Sequence, residues 1–233
     1  HLATSQRFAD EIDDAIMEYE GAKYFANILL PFSSLVTRLL DKVAKAGIGI
    51  DVIAPDHGPI WRKEPGKIVE LYAKWASQRR INKAVIAFDT MWQSTAMMAR
   101  AIGEGLSAGG TDTRVMSLRR SHRSDVATEI LDAGALLVGS PTINNNMFPT
   151  VADLLAYLKG LKPKNMVGCA FGSYGWSGEA TGQVNEVLKA MKVELIGDGL
   201  KVKYVPDDDA LAECYSLGLQ VAGKLGESAG SEQ

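Results

Sequence analysis

Three short segments of the chain combine hydroxyl, amide and glycine residues in patterns that could bind a phosphorylated ring. The first, Asp89–Thr95, is here called the hydroxyl segment and leads directly into a predicted helix. Backbone N–H groups at a helix N-terminus, with the hydroxyls of Thr90, Ser94 and Thr95, can bind phosphate without a cationic side chain. The sequence has neither the dinucleotide motif G-x-G-x-x-G nor a P-loop lysine, so a mononucleotide fits better than NAD or ATP. The alternative is an ordinary helix start, capped by Ser94 or Thr95.

The other two segments could hold the ring system of such a ligand. The asparagine segment, Gly139–Asn146, carries amides that could recognise the edge of a polar heterocycle, or it is a plain surface turn. In the glycine segment, Gly172–Gly178, three glycines let the backbone approach a flat ligand, while Tyr174 or Trp176 covers a ring face or serves only as a packing anchor. Together the segments predict FMN. The predicted cofactor contacts are Thr90, Met91, Trp92, Gln93, Ser94, Thr95, Pro141, Thr142, Ile143, Asn144, Asn145, Gly172, Ser173, Tyr174, Gly175, Trp176 and Ser177.

A regular alternation of strands and helices from Asn82 onward would bring these segments to one edge of a sheet. Short apolar runs predict five strands, at Ala84–Phe88, Val115–Leu118, Ala135–Val138, Met166–Phe171 and Lys201–Val205. Helices are predicted at Ser94–Leu106, Ser124–Asp132, around Val151–Leu158, around Val184–Met191 and at Ala210–Leu225. This order is typical of a doubly wound α/β fold with a five-stranded parallel sheet, in which ligands bind at the carboxyl ends of the strands.

Residues 1–81 do not follow this alternation. They predict an acidic helix at Phe8–Glu20, a helix or helix pair at Ala22–Ala46, a strand-like run at Ile50–Ala54 and an amphipathic helix through Trp75. One strand and several helices cannot form an independent sheet domain. We therefore expect residues 1–81 to be the C-terminal part of a larger domain, residues 82–226 to be a complete domain, and residues 227–233 to be a polar tail.

The composition is that of an ordinary globular protein. Of the 233 residues 46% are hydrophobic and 23% are charged, and the net charge of −3 argues against nucleic acid or an anionic membrane as partner. The longest apolar stretch, near Tyr24–Phe32, is far shorter than the ~20 residues of a membrane span, and no signal pattern is present, so we expect a cytoplasmic protein. Cys169 and Cys214 are expected to be buried structural thiols.

The chain resembles the flavodiiron proteins, also called A-type flavoproteins, which include rubredoxin:oxygen oxidoreductases and flavorubredoxins. Their FMN loops are similar to Thr90-Met91-x-x-Ser94-Thr95, to Gly139-Ser140-Pro141-Thr142 and to Ala170–Gly178. The resemblance continues in residues 1–81 through Phe25–Leu29, Pro31-Phe32-Ser33, His57-Gly58, Trp61-Arg62, Ile68–Tyr72 and Lys74-Trp75. It covers nearly the whole chain in order.

The resemblance implies a flavodoxin-like FMN domain preceded by a metallo-β-lactamase-like domain that holds a non-haem di-iron centre. Residues 1–81 would be the end of that first domain and its exit helix. Among the family's metal ligands only His57 has a match here, although on its neighbours alone it would be a turn histidine. Imidazole and carboxylate ligands suit such iron sites.

The resemblance also implies an oxidoreductase that reduces O2 to water, NO to N2O, or both. Its electrons would come from rubredoxin or a similar small donor. A head-to-tail homodimer, or a dimer of dimers, would place the FMN of one chain beside the metals of another.

Two other functions remain open on the residues. The chain could be a flavodoxin-type FMN electron carrier without substrate chemistry, or an FMN-dependent quinone reductase that uses NAD(P)H. Residues 1–81 distinguish the flavodiiron function from these two alternatives, because neither alternative needs them.

Overall fold

The computed structural model describes residues 2–230 and divides into two units, His1–Arg79 and Arg80–Gln233. They are called the N-terminal and the C-terminal unit. Within residues 2–230, no helix combines the length and the apolar character needed to cross a membrane.

The described part of the N-terminal unit is mainly helical. Its elements are a 3-10 turn at Ala9–Glu11, α1 at Asp14–Tyr24, a π-helical turn at Phe25–Leu29, a 3-10 turn at Leu30–Phe32, α2 at Ser33–Lys45 and α3 at Pro65–Ser77. The predicted helix at Phe8–Glu20 is wrong at its beginning, because the Asp13 carboxylate accepts the backbone N–H groups of Ala15 and Ile16 and starts α1 there. The predicted strand at Ile50–Ala54 is also wrong, since only Ile53 pairs, in an isolated bridge with Trp61.

The C-terminal unit has the predicted alternation. Its strands are β1 (Ile81–Phe88), β2 (Asp112–Ser117), β3 (Ala133–Gly139), β4 (Thr142–Ile143), β5 (Asn146–Met147), β6 (Val167–Tyr174), β7 (Glu194–Leu195) and β8 (Leu200–Lys203). Its helices are α4 (Ser94–Ala108), α5 (Arg123–Glu129), α6 (Pro149–Leu161), α7 (Glu179–Ala190) and α8 (Asp208–Gly230). Residues 227–230 of the predicted tail therefore continue α8, and residues 231–233 lie outside the described residues.

The main sheet is parallel, with the order β2-β1-β3-β6 and a fifth position that β7 and β8 share. This arrangement confirms the doubly wound fold. The predicted fifth strand, Lys201–Val205, corresponds to β8, which ends at Lys203. The fifth position also contains β7, which was not predicted: β7 pairs with the beginning of β6 and β8 with its end. Between them lie Gly197 and Gly199, whose φ angles of 68° and 90° suit glycine and break the strand.

The core of the C-terminal unit packs α4 and α8 on one face of the sheet. Ile86, Met98, Ile102 and Phe171 are fully buried there. Cys169 and Cys214 are free and belong to the same core, and burial raises the pKa of each thiol to about 12. The prediction of buried structural thiols is confirmed, because both side chains are fully buried among apolar residues of this core.

Candidate functional site

The three candidate segments begin side by side at the carboxyl ends of adjacent strands. Phe88 of β1 is in register with Gly139 of β3, which is in register with Phe171 of β6. The backbone N–H of Asp89 donates to the Gly139 carbonyl at 3.1 Å, and that of Ser140 to the Phe171 carbonyl at 3.0 Å. The sheet thus brings the hydroxyl, asparagine and glycine segments to one edge, as the strand order required.

The hydroxyl segment turns into α4 without a side-chain cap. Gln93 occupies the N-cap position with φ of 71°, and its side chain makes no capping hydrogen bond. The prediction that Ser94 or Thr95 caps the helix is wrong, because the left-handed turn at Gln93 places both as the first helical residues. Their hydroxyls and the first backbone N–H groups of α4 form a donor set suited to a phosphate. Thr95 Oγ1 lies 3.3 Å from Ser173 Oγ and so links this segment to the glycine segment.

Sequence reasoning missed Asp89 as a site residue. Its side chain is only 1% exposed. The carboxylate accepts the backbone N–H of Thr90 at 2.6 Å, Arg119 Nε at 2.9 Å and Thr150 Oγ1 at 2.5 Å. Arg119 also donates to the Thr90 carbonyl. Asp89 therefore joins the hydroxyl segment to the residues after β2 and to the first turn of α6. The sequence signal for it was a carboxylate directly after the apolar run Ala84–Phe88.

We predict that Asp89→Asn lowers the free energy of unfolding and weakens binding at the hydroxyl segment. The substitution keeps the shape but removes the charge from three hydrogen bonds, and a hydrogen bond to a charged group contributes about 1.5–3 kcal/mol. Urea denaturation of the wild-type chain and the variant measures the loss. Asp153→Asn is a matched control, because Asp153 pairs with Arg123 at 2.7 Å on the surface, where ion pairs contribute little. Equal stability of the two variants would contradict the role given to Asp89.

The asparagine segment forms a short β-hairpin whose turn is exposed. β4 and β5 pair antiparallel, with Thr142 opposite Met147 and Ile143 opposite Asn146. Asn144 and Asn145 form the connection with φ angles of 48° and 59°. Two positive φ values indicate a type I′ turn, in which asparagine is preferred. The adjacent asparagines were therefore a hairpin signal that sequence reasoning did not use.

A second missed residue, Gln183 of α7, holds this hairpin. Its side-chain oxygen accepts the backbone N–H of Met147 at 2.9 Å, and its amide nitrogen donates to the Asn145 carbonyl at 3.1 Å. The hydroxyl of Ser177 donates to Asn145 Oδ1 at 3.4 Å. These contacts join the asparagine segment to the glycine segment and to α7.

The glycine segment leaves β6 in close contact with the asparagine segment. A Cβ at Gly172 would lie 1.8 Å from the Ser140 carbonyl oxygen, so only glycine fits there. Trp176 is 97% exposed, and Trp92 of the hydroxyl segment is 88% exposed. The packing-anchor alternative is therefore wrong for Trp176, since its ring is free to cover a flat ligand.

His57 belongs to the N-terminal unit. Its ring centroid lies 6.0 Å from that of Tyr24, and it lines a cavity of about 230 Å³ with Met17, Trp61 and Ile68. Among residues 2–230, no group of three or more His, Cys, Asp or Glu side chains is arranged to hold a metal ion. The role of His57 as a metal ligand remains a prediction.

Comparison with known proteins agrees with this geometry. Residues 86–218 match the family model of flavodoxins. The chain belongs to the flavodoxin family. The matched residues include all three candidate segments.

The similarity to known proteins extends beyond residues 86–218. The chain is 52% identical to a nitric oxide reductase of Moorella thermoacetica, over 97% of this chain and 57% of that protein. The solved rubredoxin oxygen:oxidoreductase of Desulfovibrio gigas matches with a TM-score of 0.95 at 38% identity, over 97% of this chain and 57% of that one. A flavodiiron protein of Giardia intestinalis matches with a TM-score of 0.91 at 31% identity, over 97% and 56%. These findings confirm the resemblance to flavodiiron proteins, and the chain spans little more than half the length of these relatives.

Proposed function

We propose that this chain is the FMN-containing electron-transfer part of a flavodiiron oxidoreductase that reduces O2 to water, NO to N2O, or both. The proposal is supported above all by the arrangement of the three candidate segments at one edge of the sheet, in a chain 52% identical to a nitric oxide reductase. When bound, FMN supplies reversible one- and two-electron transfer. The donor set at the start of α4 fits its phosphate, and the exposed rings of Trp92 and Trp176 fit a flat heterocycle.

Each segment has its own part in binding. Thr90–Thr95 would hold the phosphate through the first N–H groups of α4 and the side-chain hydroxyls. Pro141–Asn145 and Gly172–Ser177 would hold the ring system from two sides. The hydrogen bonds between Gln183 and the hairpin, and the one from Ser177 to Asn145, connect those two sides before the cofactor binds.

Residues 1–81 would be the C-terminal part of a metallo-β-lactamase-like di-iron domain and its exit helix, with His57 as one metal ligand. α2 supports this proposal, because it leaves Leu35 and Leu39 more than half exposed. Helices of globular proteins normally bury such an apolar face against a neighbouring element. Residues 82–226 would be the FMN-binding domain.

The proposed partners are a small redox protein such as rubredoxin and a second copy of the chain. Trp176 supports the head-to-tail homodimer, since a tryptophan that is 97% exposed is typical of a surface that another molecule covers. Its loop would face the metal domain of the other protomer. Two free, buried thiols support a reducing compartment such as the cytoplasm.

Titration of the chain with FMN and with riboflavin tests the flavin proposal. We expect stoichiometric binding of FMN and much weaker binding of riboflavin, which lacks the phosphate. Metal analysis of the intact flavodiiron protein tests the proposed di-iron domain, and we expect stoichiometric iron. Tight FMN binding without iron in the intact protein would instead support a flavodoxin-type carrier, the second candidate that the family match favours.

A further inference from the structure

Tyr204 directly follows β8 in a backbone conformation that is unfavourable for its side chain. Its φ angle is 64°, in the left-handed region that favours glycine. The other non-glycine residues with positive φ in the described part of the chain are Glu, Gln, Asn and Lys. Tyr204 alone among them carries an aromatic ring, and for so bulky a residue this conformation is a genuine outlier. Such outliers persist where the surrounding structure requires them, and they cluster at ligand sites.

Tyr204 lies against the glycine segment. Its backbone N–H donates to the carbonyl of Tyr174, the residue before Gly175, at 2.7 Å. A Cβ at Gly175 would lie 3.6 Å from Tyr204 Cε1, so the ring stands beside the backbone of that glycine. Lys203 Nζ lies 5.2 Å from the ring centroid, within the range of a cation–π interaction. The Tyr204 ring therefore has a defined place next to the glycine segment, although it is 63% exposed.

The glycine segment is also packed at its other end. A Cβ at Gly178 would lie 3.3 Å from Tyr174 Cδ1 and 3.1 Å from Lys201 Cδ. Side chains thus lie against the segment at Gly175 and at Gly178, whereas Trp176 between them is almost fully exposed. A loop held at two points presents the residue between them in one direction, and a ligand that binds against it does not have to order the backbone first.

We propose that Tyr204 is a positioning residue for the flavin ring: its side chain holds the backbone at Gly175, so that Trp176 stands where the ring system binds. This inference rests on the proposed function. A glycine at position 204 would adopt the same φ angle without strain, but it would leave Gly175 without the ring beside it. The strain is therefore explained by what the side chain does and not by the turn after β8.

Tyr204→Gly tests the proposal, and Lys192→Gly is its matched control. Lys192 has the same φ angle of 64°, is exposed and precedes β7, which pairs with the beginning of β6 and so lies at the opposite end of the sheet from the glycine segment. Both changes relieve the same backbone strain. We expect Tyr204→Gly to weaken the binding of FMN and of riboflavin alike, by roughly tenfold, because the loosened segment must be ordered when the shared ring system binds. Lys192→Gly should leave both affinities unchanged.

A second readout does not need the cofactor. Backbone order parameters from ¹⁵N relaxation of the chain without FMN should fall at Gly175–Gly178 in Tyr204→Gly, to the range of flexible segments at about 0.6 or lower. Tyr204→Phe should match the wild-type chain in both measurements, because it keeps the ring and loses only the hydroxyl. Should Tyr204→Gly fail to fold, Tyr204→Asn decides, since asparagine tolerates the left-handed conformation and carries no ring.

Unchanged binding of both flavins by Tyr204→Gly would overturn the inference, and so would unchanged order parameters. A loss confined to FMN would overturn it as well, because that result would assign the effect to the phosphate. Equal losses for the Tyr204 and Lys192 variants would have the same meaning. Failure of the wild-type chain to bind either flavin would instead overturn the proposed function, while the order parameters would still test whether Tyr204 holds the glycine segment.

Discussion

Replacing both Ser94 and Thr95 with alanine is expected to weaken FMN binding by at least about a hundredfold. Both residues begin α4, and neither hydroxyl is used as a helix cap. Each can donate to the cofactor phosphate, and a hydrogen bond to a charged group contributes roughly 1.5–3 kcal/mol. The backbone N–H groups of the same turn would remain, so binding should become weak rather than vanish.

Quenching of flavin fluorescence measures this effect. Ser107→Ala, on an exposed position at the other end of α4, is the matched control and should leave the affinity unchanged. Riboflavin provides a second control, because loss of two phosphate contacts must reduce the affinity for FMN much more than that for riboflavin. An FMN affinity within twofold of the wild-type chain would exclude the phosphate site assigned to this segment.

The 233-residue chain loaded with FMN is expected to bind no stoichiometric iron and to convert O2 to hydrogen peroxide. Four-electron reduction of O2, or coupling of two NO molecules, needs two adjacent metals whose ligands are held by supporting contacts. Of the ligand set that the family resemblance implies, the chain carries His57 alone, and the described residues contain no other group of potential ligands around a common point. A reduced flavin delivers two electrons, which with two protons convert O2 to peroxide.

The experiment reduces the chain under anaerobic conditions, adds O2, and measures iron, O2 consumed and peroxide formed. We expect one peroxide for each O2 consumed, at the slow rate of a reduced flavin exposed to solvent. His57→Ala should change neither the iron content nor the product. Formation of water without peroxide would show that the chain contains a metal site, and the assignment of His57 as an isolated ligand would then be wrong.

The parts of the fold that follow from apolar patterning were predictable from the sequence. The runs at Ala84–Phe88 and Ala135–Val138 are buried on both faces, so neighbouring strands and helices must cover them, and a parallel sheet follows. Of the fifth position only the β8 part was predicted, because the run Lys201–Val205 contains no sign that Glu194–Leu195 shares the same sheet position.

The candidate site was predictable only as three segments. The contacts that organise it join residues far apart in the sequence, such as Asp89 with Arg119 and with Thr150, 30 and 61 residues away. No local pattern encodes such pairs. The prediction that Ser94 or Thr95 caps α4 was wrong for a related reason. Serine and threonine are preferred at N-cap positions, but the left-handed conformation of Gln93 makes Gln93 the N-cap residue instead.

The break between β7 and β8 affects whether molecules of this protein can associate through the edge of the sheet. An open sheet edge exposes unpaired N–H and C=O groups, and a continuous edge can add a strand from a neighbouring molecule and grow into an aggregate. At the fifth position β7 contributes two residues and β8 four, with Ile196–Gly199 between them. β8 also carries Lys201 and Lys203, and lysines on a short edge strand discourage such addition. The parallel sheet therefore ends at this edge in a form that disfavours the addition of a strand from another chain.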